Sequence, residues 1–158
     1  MRCVEAPQRY ERLPGDGPSI FLAGGITGCP DWQSEALTRL AGTPLVLFNP
    51  RRAAFDVGRG DNAVQQIAWE YEHLTAADVT LFWFPRCDPR ETVQPIALYE
   101  LGMAVAAARA GTRRFAVGTD PDYPRRLDVE EQLRHALPGW PVHHTLHATV
   151  DAAASLAG

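Results

Sequence analysis

The chain of 158 residues has no lysine; its 15 basic residues are arginine. A phosphate-cradling P-loop, which needs Gly-Lys-Ser/Thr, is therefore excluded. The arginines fall in short pairs (Arg51-Arg52, Arg113-Arg114 and Arg125-Arg126) rather than in a cluster, and the formal net charge is -4. That balance argues against a nucleic-acid polymer as partner. Cysteine is equally scarce. Cys3, Cys29 and Cys87 are scattered and odd in number. With no Cys-x-x-Cys spacing, neither a zinc site nor a disulfide framework is supported, and no metal is expected. Cys29 follows a glycine-rich turn but lacks an activating pattern, so it reads as a spectator thiol. No run is long and apolar enough for a membrane span. Residues 1–7 lack the apolar core of a signal peptide, so a cytoplasmic protein is expected.

The chain does hold an ordinary share of apolar residues, 46%, spread over enough length for one domain with a full core. Strand and helix signals alternate. Apolar runs at 19–23, 45–48, 79–84, 115–117 and, more weakly, 142–146 read as strands. Helical periodicity covers 31–40, 63–76, 96–110, 128–137 and 149–156. In the first helix Trp32, Ala36, Leu37 and Leu40 form the expected inner face. Residues 50–61 read as loop, with Gly58, Gly60 and Asp61 marking turns. Residues 1–18, rich in proline and glycine after Arg12, read as an extended arm. Alternating strands and helices predict an α/β fold: a doubly wound, five-stranded parallel sheet in the order 2-1-3-4-5, with helices on both faces. Ligands of such sheets bind where the strand order reverses, at the carboxyl edge. The loops there are residues 24–30 and 85–95.

Glu100 falls about one turn into the helix that follows the second of those loops. Its neighbours, Ile96-Ala-Leu-Tyr99 and Leu101-Gly-Met103, are apolar. A carboxylate in that setting is either a helix-start charge favoured by the dipole or a reactive group at the ligand edge. On the preceding helix Gln66, Glu70 and His73 share a face, and Ile67, Tyr71 and Leu74 share the adjoining one. That polar face is either solvated or turned so that Glu70 meets Glu100 across a cleft. Two carboxylates with separated roles suit glycosidic-bond chemistry: one attacks the anomeric carbon and the other handles the leaving group's proton. Gly24-Gly25-Ile-Thr27-Gly28 is either a tight turn or a backbone that lets a sugar approach; it matches no dinucleotide fingerprint. Asp78 lies at the amino end of its strand and reads as structural.

Taken in order, several motifs resemble one family. They are Ile20-Phe-Leu-Ala-Gly-Gly-Ile-Thr-Gly28, Asn49-Pro-Arg-Arg52, Gln66-Ile-Ala-Trp-Glu70, Ala77-Asp78, Leu81-Phe-Trp-Phe84 and Tyr99-Glu-Leu-Gly102. Over residues 19–118 the chain resembles the nucleoside 2-deoxyribosyltransferases, especially the branch with Asn-Pro-Arg-Arg and Phe-Trp-Phe. The resemblance implies a flavodoxin-like fold, a cofactor-free homo-oligomer, and nucleosides or nucleotides with free bases as ligands. It also implies a nucleophilic carboxylate at Glu100 and a proton-transferring acid at Glu70. Six residues before the nucleophile the family carries Asp or Ser, whereas this chain has Gln94.

The expected activity is cleavage and transfer of an N-glycosidic bond through a glycosyl ester on Glu100, with Glu70 as the acid. The alternatives are a nucleoside or nucleoside 5′-monophosphate N-glycosidase, and a non-catalytic nucleotide-binding module. Gly24, Gly25, Thr27, Asn49, Arg51, Trp69 and Gln94 are the expected substrate contacts, with Arg52 anchoring its loop. Burial should raise the pKa of Glu70, while hydrogen bonds keep Glu100 ionised.

Overall fold

The computed structural model describes residues 1–52 and 60–158. In chain order the elements are β1 (Arg2–Glu5), β2 (Ser19–Gly24), α1 (Trp32–Arg39), β3 (Val46–Asn49), α2 (Gly60–Ala76) and β4 (Val79–Phe84). They continue with α3 (Pro95–Arg109), β5 (Phe115–Thr119), α4 (Arg126–Ala136), β6 (Val142–His143) and α5 (Leu146–Ala157). All strands pair in parallel, in the order β1-β3-β2-β4-β5-β6. The five expected strands take their expected places, but the sheet has six. The sixth is β1, inside the stretch read as an arm, and it extends the edge beside β3. Four residues with only Val4 buried carry almost no periodic signal. What makes them a strand is the ladder that β3 offers.

Side chains alternate across the sheet with a period of two, as strand geometry requires. Phe21, Phe48, Phe82, Phe84 and Phe115 point to one face, where α2, α3 and α4 add Trp69, Leu101 and Leu133. Ile20, Leu22, Leu47, Leu81 and Trp83 point to the other, covered by α1 and α5 through Trp32, Ala36 and Val150. The central strands are buried on both sides, which explains their unbroken apolar runs. Trp32, Ala36 and Leu40 are buried as expected. Asp31 caps α1 by accepting from Ser34 N at 3.2 Å, and Thr145 caps α5 by accepting from Ala148 N at 3.2 Å. The helix α2 starts at Gly60, so Gly60 and Asp61 open a helix rather than mark turns; Gly58 lies outside the described residues.

The chain after β2 goes to one face and the chain after β4 to the other. A cleft opens between the carboxyl ends of these neighbouring strands, where the two loops part. No helix among the described residues is long and apolar enough to cross a membrane.

Candidate active site

A cavity of about 230 Å³ lies in that cleft. Its floor is Phe21, Ala23 and Gly24 from β2, continuing into Gly25, Ile26 and Thr27. One wall is Thr92, Gln94, Pro95, Ile96, Ala97 and Glu100 at the start of α3. Pro50 and Glu70 close the third side. Six residues singled out in the sequence therefore meet here: Gly24, Gly25, Thr27, Glu70, Gln94 and Glu100.

The glycines are there for space. A Cβ on Gly24 would lie 2.1 Å from Trp83 O, and Gly24 has a φ of +153°, a value side-chain-bearing residues rarely adopt. A Cβ on Gly25 would lie 2.5 Å from Cys29 Sγ and 2.6 Å from Gln94 Oε1. Bare backbone at Gly25 thus makes room for Gln94.

Gln94 is held in an unusual way. It precedes α3 in the left-handed region, at φ 57° and ψ 51°, an uncommon conformation for a residue with a side chain. Its N–H donates to Thr92 Oγ1 at 2.9 Å. Its side-chain amide donates to Pro85 O at 2.7 Å, which orients the group and turns Oε1 towards Gly25. Only 4% of Gln94 is exposed, and Oε1 has no protein partner among the described residues. Strained backbone and an unsatisfied buried acceptor commonly mark functional positions.

The two carboxylates come from different helices and differ in their surroundings. Glu70 Oε1 accepts from Gln66 Nε2 at 2.7 Å, one turn back on α2. Burial raises the Glu70 pKa, and the Gln66 bond and the Arg52 charge hold it down. Among the described residues no hydrogen bond reaches the Glu100 carboxyl. Burial first, and then the Glu70 charge, push its pKa up to about 8. The expected rise at Glu70 is present, but the expected hydrogen bonds to Glu100 are not. Burial disfavours the charged form of Glu100, and nothing among the described residues donates to it, so its environment favours the neutral carboxyl.

Three expected contacts lie elsewhere. Trp69, 4% exposed, turns into the core: its indole N–H donates to Gln8 O at 2.6 Å and its ring stacks on His73. One residue along a helix is a rotation of ~100°, so the neighbour of a cleft-facing Glu70 faces elsewhere. Asn49 is buried, and its Oδ1 accepts from Arg51 N at 3.0 Å. Arg51 is the loop anchor. Its guanidinium donates to Gln33 Oε1 at 2.8 Å, Ile26 O at 3.2 Å and Pro30 O at 2.9 Å, and pairs with Asp31 at 3.3 Å. Arg52, read from sequence as the anchor, supplies the positive charge that acts on Glu70. Arg52 also donates to Gln65 Oε1 at 3.4 Å, which ties it to α2 in keeping with the anchoring expected of it. Asp78 is structural as expected, with Oδ2 accepting from Ser19 N and Ser19 Oγ at 2.8 Å each.

Gln66 shares the polar face and the motif of Glu70 in the sequence, but nothing there gives it a role in the site. Its i, i+4 spacing to Glu70 is visible there. Its second bond, to Pro50 O at 2.8 Å, depends on how β3 hands its chain to α2. Cys29 is a half-buried thiol whose pKa is pushed up to about 11, mainly by burial, in keeping with a spectator.

Compared with known proteins, the chain matches no curated sequence. Residues 17–120 match a family model described as nucleoside 2-deoxyribosyltransferase like. That span holds β2 through β5 and every residue lining the cavity: the chain belongs to the nucleoside 2-deoxyribosyltransferase-like family.

Proposed function

We propose that this protein cleaves the N-glycosidic bond of a nucleoside and transfers the sugar to a second base through a covalent ester on Glu100. The observation that carries this reading is the placement of two carboxyls from separate helices on one small cavity, with opposite hydrogen-bonding situations. Glu100 is the nucleophile. Its surroundings favour the neutral form, and its proton passes to Glu70 as substrate settles. A Glu100 oxygen then bonds C1′ while the C1′–N pair leaves with the base, and the base nitrogen takes the proton from Glu70. A second base attacks C1′, gives its proton to the Glu70 carboxylate, and frees Glu100. The route requires no cofactor. Gln94 Oε1 accepts from an O–H or N–H of the ligand, and Gly24, Gly25 and Thr27 form the sugar floor. General-acid assistance of this kind contributes ~10²–10⁴-fold.

The cavity is smaller than the ~300–1,000 Å³ that encloses a whole drug-sized ligand. Around it, Ile67 and Tyr71 of α2 and Ile96, Tyr99 and Met103 of α3 are exposed. We read this apolar rim as covered by a second copy of the chain, in a homo-oligomer. Light scattering on the wild type and on Tyr71→Glu checks it; a monomer at micromolar concentration in both would overturn that part.

The test of the reaction is trapping. Incubation with a 2′-fluoro-arabino nucleoside, whose fluorine slows hydrolysis of the ester, should add the mass of the sugar to the peptide carrying Glu100. New nucleoside on adding a free base marks a transferase, and slow loss to water alone marks a hydrolase. Tight binding with no adduct and no base release, across a panel of nucleosides and 5′-monophosphates, would overturn the enzyme reading.

A further inference from the structure

Gln66 has two amide hydrogens and both are committed. One bonds Pro50 O at 2.8 Å and the other Glu70 Oε1 at 2.7 Å. Its own oxygen is buried and without a partner among the described residues. Pro50 O can only accept, so the amide nitrogen rather than the oxygen must face it, and the orientation of the amide is determined by that neighbour. Pro50 itself lines the cavity beside Glu70. Gln66 therefore ties the loop after β3 to the carboxyl on α2.

From this geometry we infer that Gln66 is a positioning residue for the reaction: by donating to Glu70 Oε1, it assigns the transferable proton of Glu70 to Oε2. The inference rests on the reading of Glu70 as the acid. In a protonated carboxyl the carbonyl oxygen is the better acceptor, and the hydroxyl oxygen carries the one donor. An N–H fixed on Oε1 keeps that oxygen in the carbonyl role, so the O–H lies on the other oxygen. When Glu70 gives up its proton, the same N–H becomes a charge-assisted bond to the carboxylate, which is stronger. The bond thus tightens as the C1′–N bond breaks, and it helps where it is needed, in the transition state. Among the described residues, the other charged groups facing Glu70 are Arg52, after β3, and Glu100, from α3. Neither gives Glu70 the short directional bond that Gln66 gives.

The test uses Gln66→Met, which keeps length and helix propensity without donors, and Gln66→Glu, which puts an acceptor in the donor's place. The first readout is independent of turnover: the Glu70 carboxyl is titrated by carbon NMR in isotopically labelled protein. Its titration should move to higher pH in Gln66→Met and higher again in Gln66→Glu. The second readout is leaving-group dependence. Gln66→Met should lose at least ~10-fold on nucleosides with poor leaving bases, out of the ~10²–10⁴-fold that acid assistance supplies. Substrates with activated leaving groups should lose much less. Equal losses on both substrate classes with an unmoved Glu70 titration would reduce Gln66 to a merely structural residue and overturn the inference. If the wild type released no base from any substrate, the proposed reaction would fail, and the NMR titration alone would still decide whether Gln66 governs the Glu70 proton.

Discussion

Glu70 and Glu100 face one cavity from different helices, and the charge of Glu70 adds to burial in holding the proton on Glu100. The proposed reaction needs the reverse distribution, with the proton on the acid and the charge on the nucleophile. Under that proposal the pair exchanges a proton on ligand binding. Only the positions of neighbouring groups decide which carboxyl holds it.

Replacing the proposed nucleophile separates chemistry from stability. Glu100→Gln should abolish base release, a loss of several orders of magnitude as for other covalent nucleophiles. The same change should make the protein more stable at alkaline pH. The carboxyl titrates near 4.5 when exposed and at about 8 when folded. Its contribution to stability is therefore fully present below 4.5 and is lost as pH rises through 8. A neutral Gln escapes that loss, which is on the order of a few kcal/mol, since a tenfold change in proton affinity is worth ~1.4 kcal/mol. Thermal melts should show Glu100→Gln above wild type at pH 8.5, with the gap closing by pH 5. A gap independent of pH would contradict the assignment.

Glu70→Gln keeps the shape and removes the proton. Nucleosides with poor leaving bases should slow by ~10²–10⁴-fold, and those with activated leaving groups far less. Uniform slowing across both classes would show that Glu70 is not the acid.

Arg51 spreads planar, multidirectional contacts that a lysine cannot reproduce. Arg51→Lys should free the loop between β2 and α1. The expected result is a stability loss of ~1–3 kcal/mol by denaturant titration together with a raised KM, since Gly25 and Thr27 sit in that loop. An unchanged KM at reduced stability would show that the loop's order does not matter to the ligand.

Gly25→Ala and Gly42→Ala form a matched pair. At Gly25 the new Cβ collides with Gln94 and Cys29, so activity should fall much more than stability. Gly42, at φ +83° with nothing within 4 Å, should lose only ~1 kcal/mol for its left-handed backbone and keep its activity. Equal activity in both variants would mean that Gln94 tolerates displacement and does not read the ligand.

Much of this architecture is legible without coordinates. The strands β2 and β4 announce themselves as unbroken apolar runs because they are buried on both faces. The start of α3 is marked by Pro95, and the end of α1 by Gly42 just beyond it. Alternation of strands and helices implies parallel pairing, and the reversal of strand order follows, which places Glu100, Gln94 and the Gly24-Gly25 turn at one edge. Those inferences depend on local physics: period, burial and turn chemistry over a few residues.

What stays hidden in the sequence depends on partners distant in the chain. The edge strand β1 exists because β3 offers it unpaired backbone groups some forty residues later. Nothing local distinguishes Arg51 from Arg52; only the carbonyls of Ile26 and Pro30, brought near by the fold, make Arg51 the one that holds the loop between β2 and α1. Trp69, next to Glu70, reads from sequence as a ligand contact, but the turn of α2 sends it to Gln8 and His73. The upward push on the Glu100 pKa is of the same kind. The sequence supplies two carboxylates at plausible places. Burial of one without donors among the described residues, and the bond from Gln66 to the other, are sums over atoms from three separate segments, and only their packing in space makes the surroundings of the two carboxyls differ.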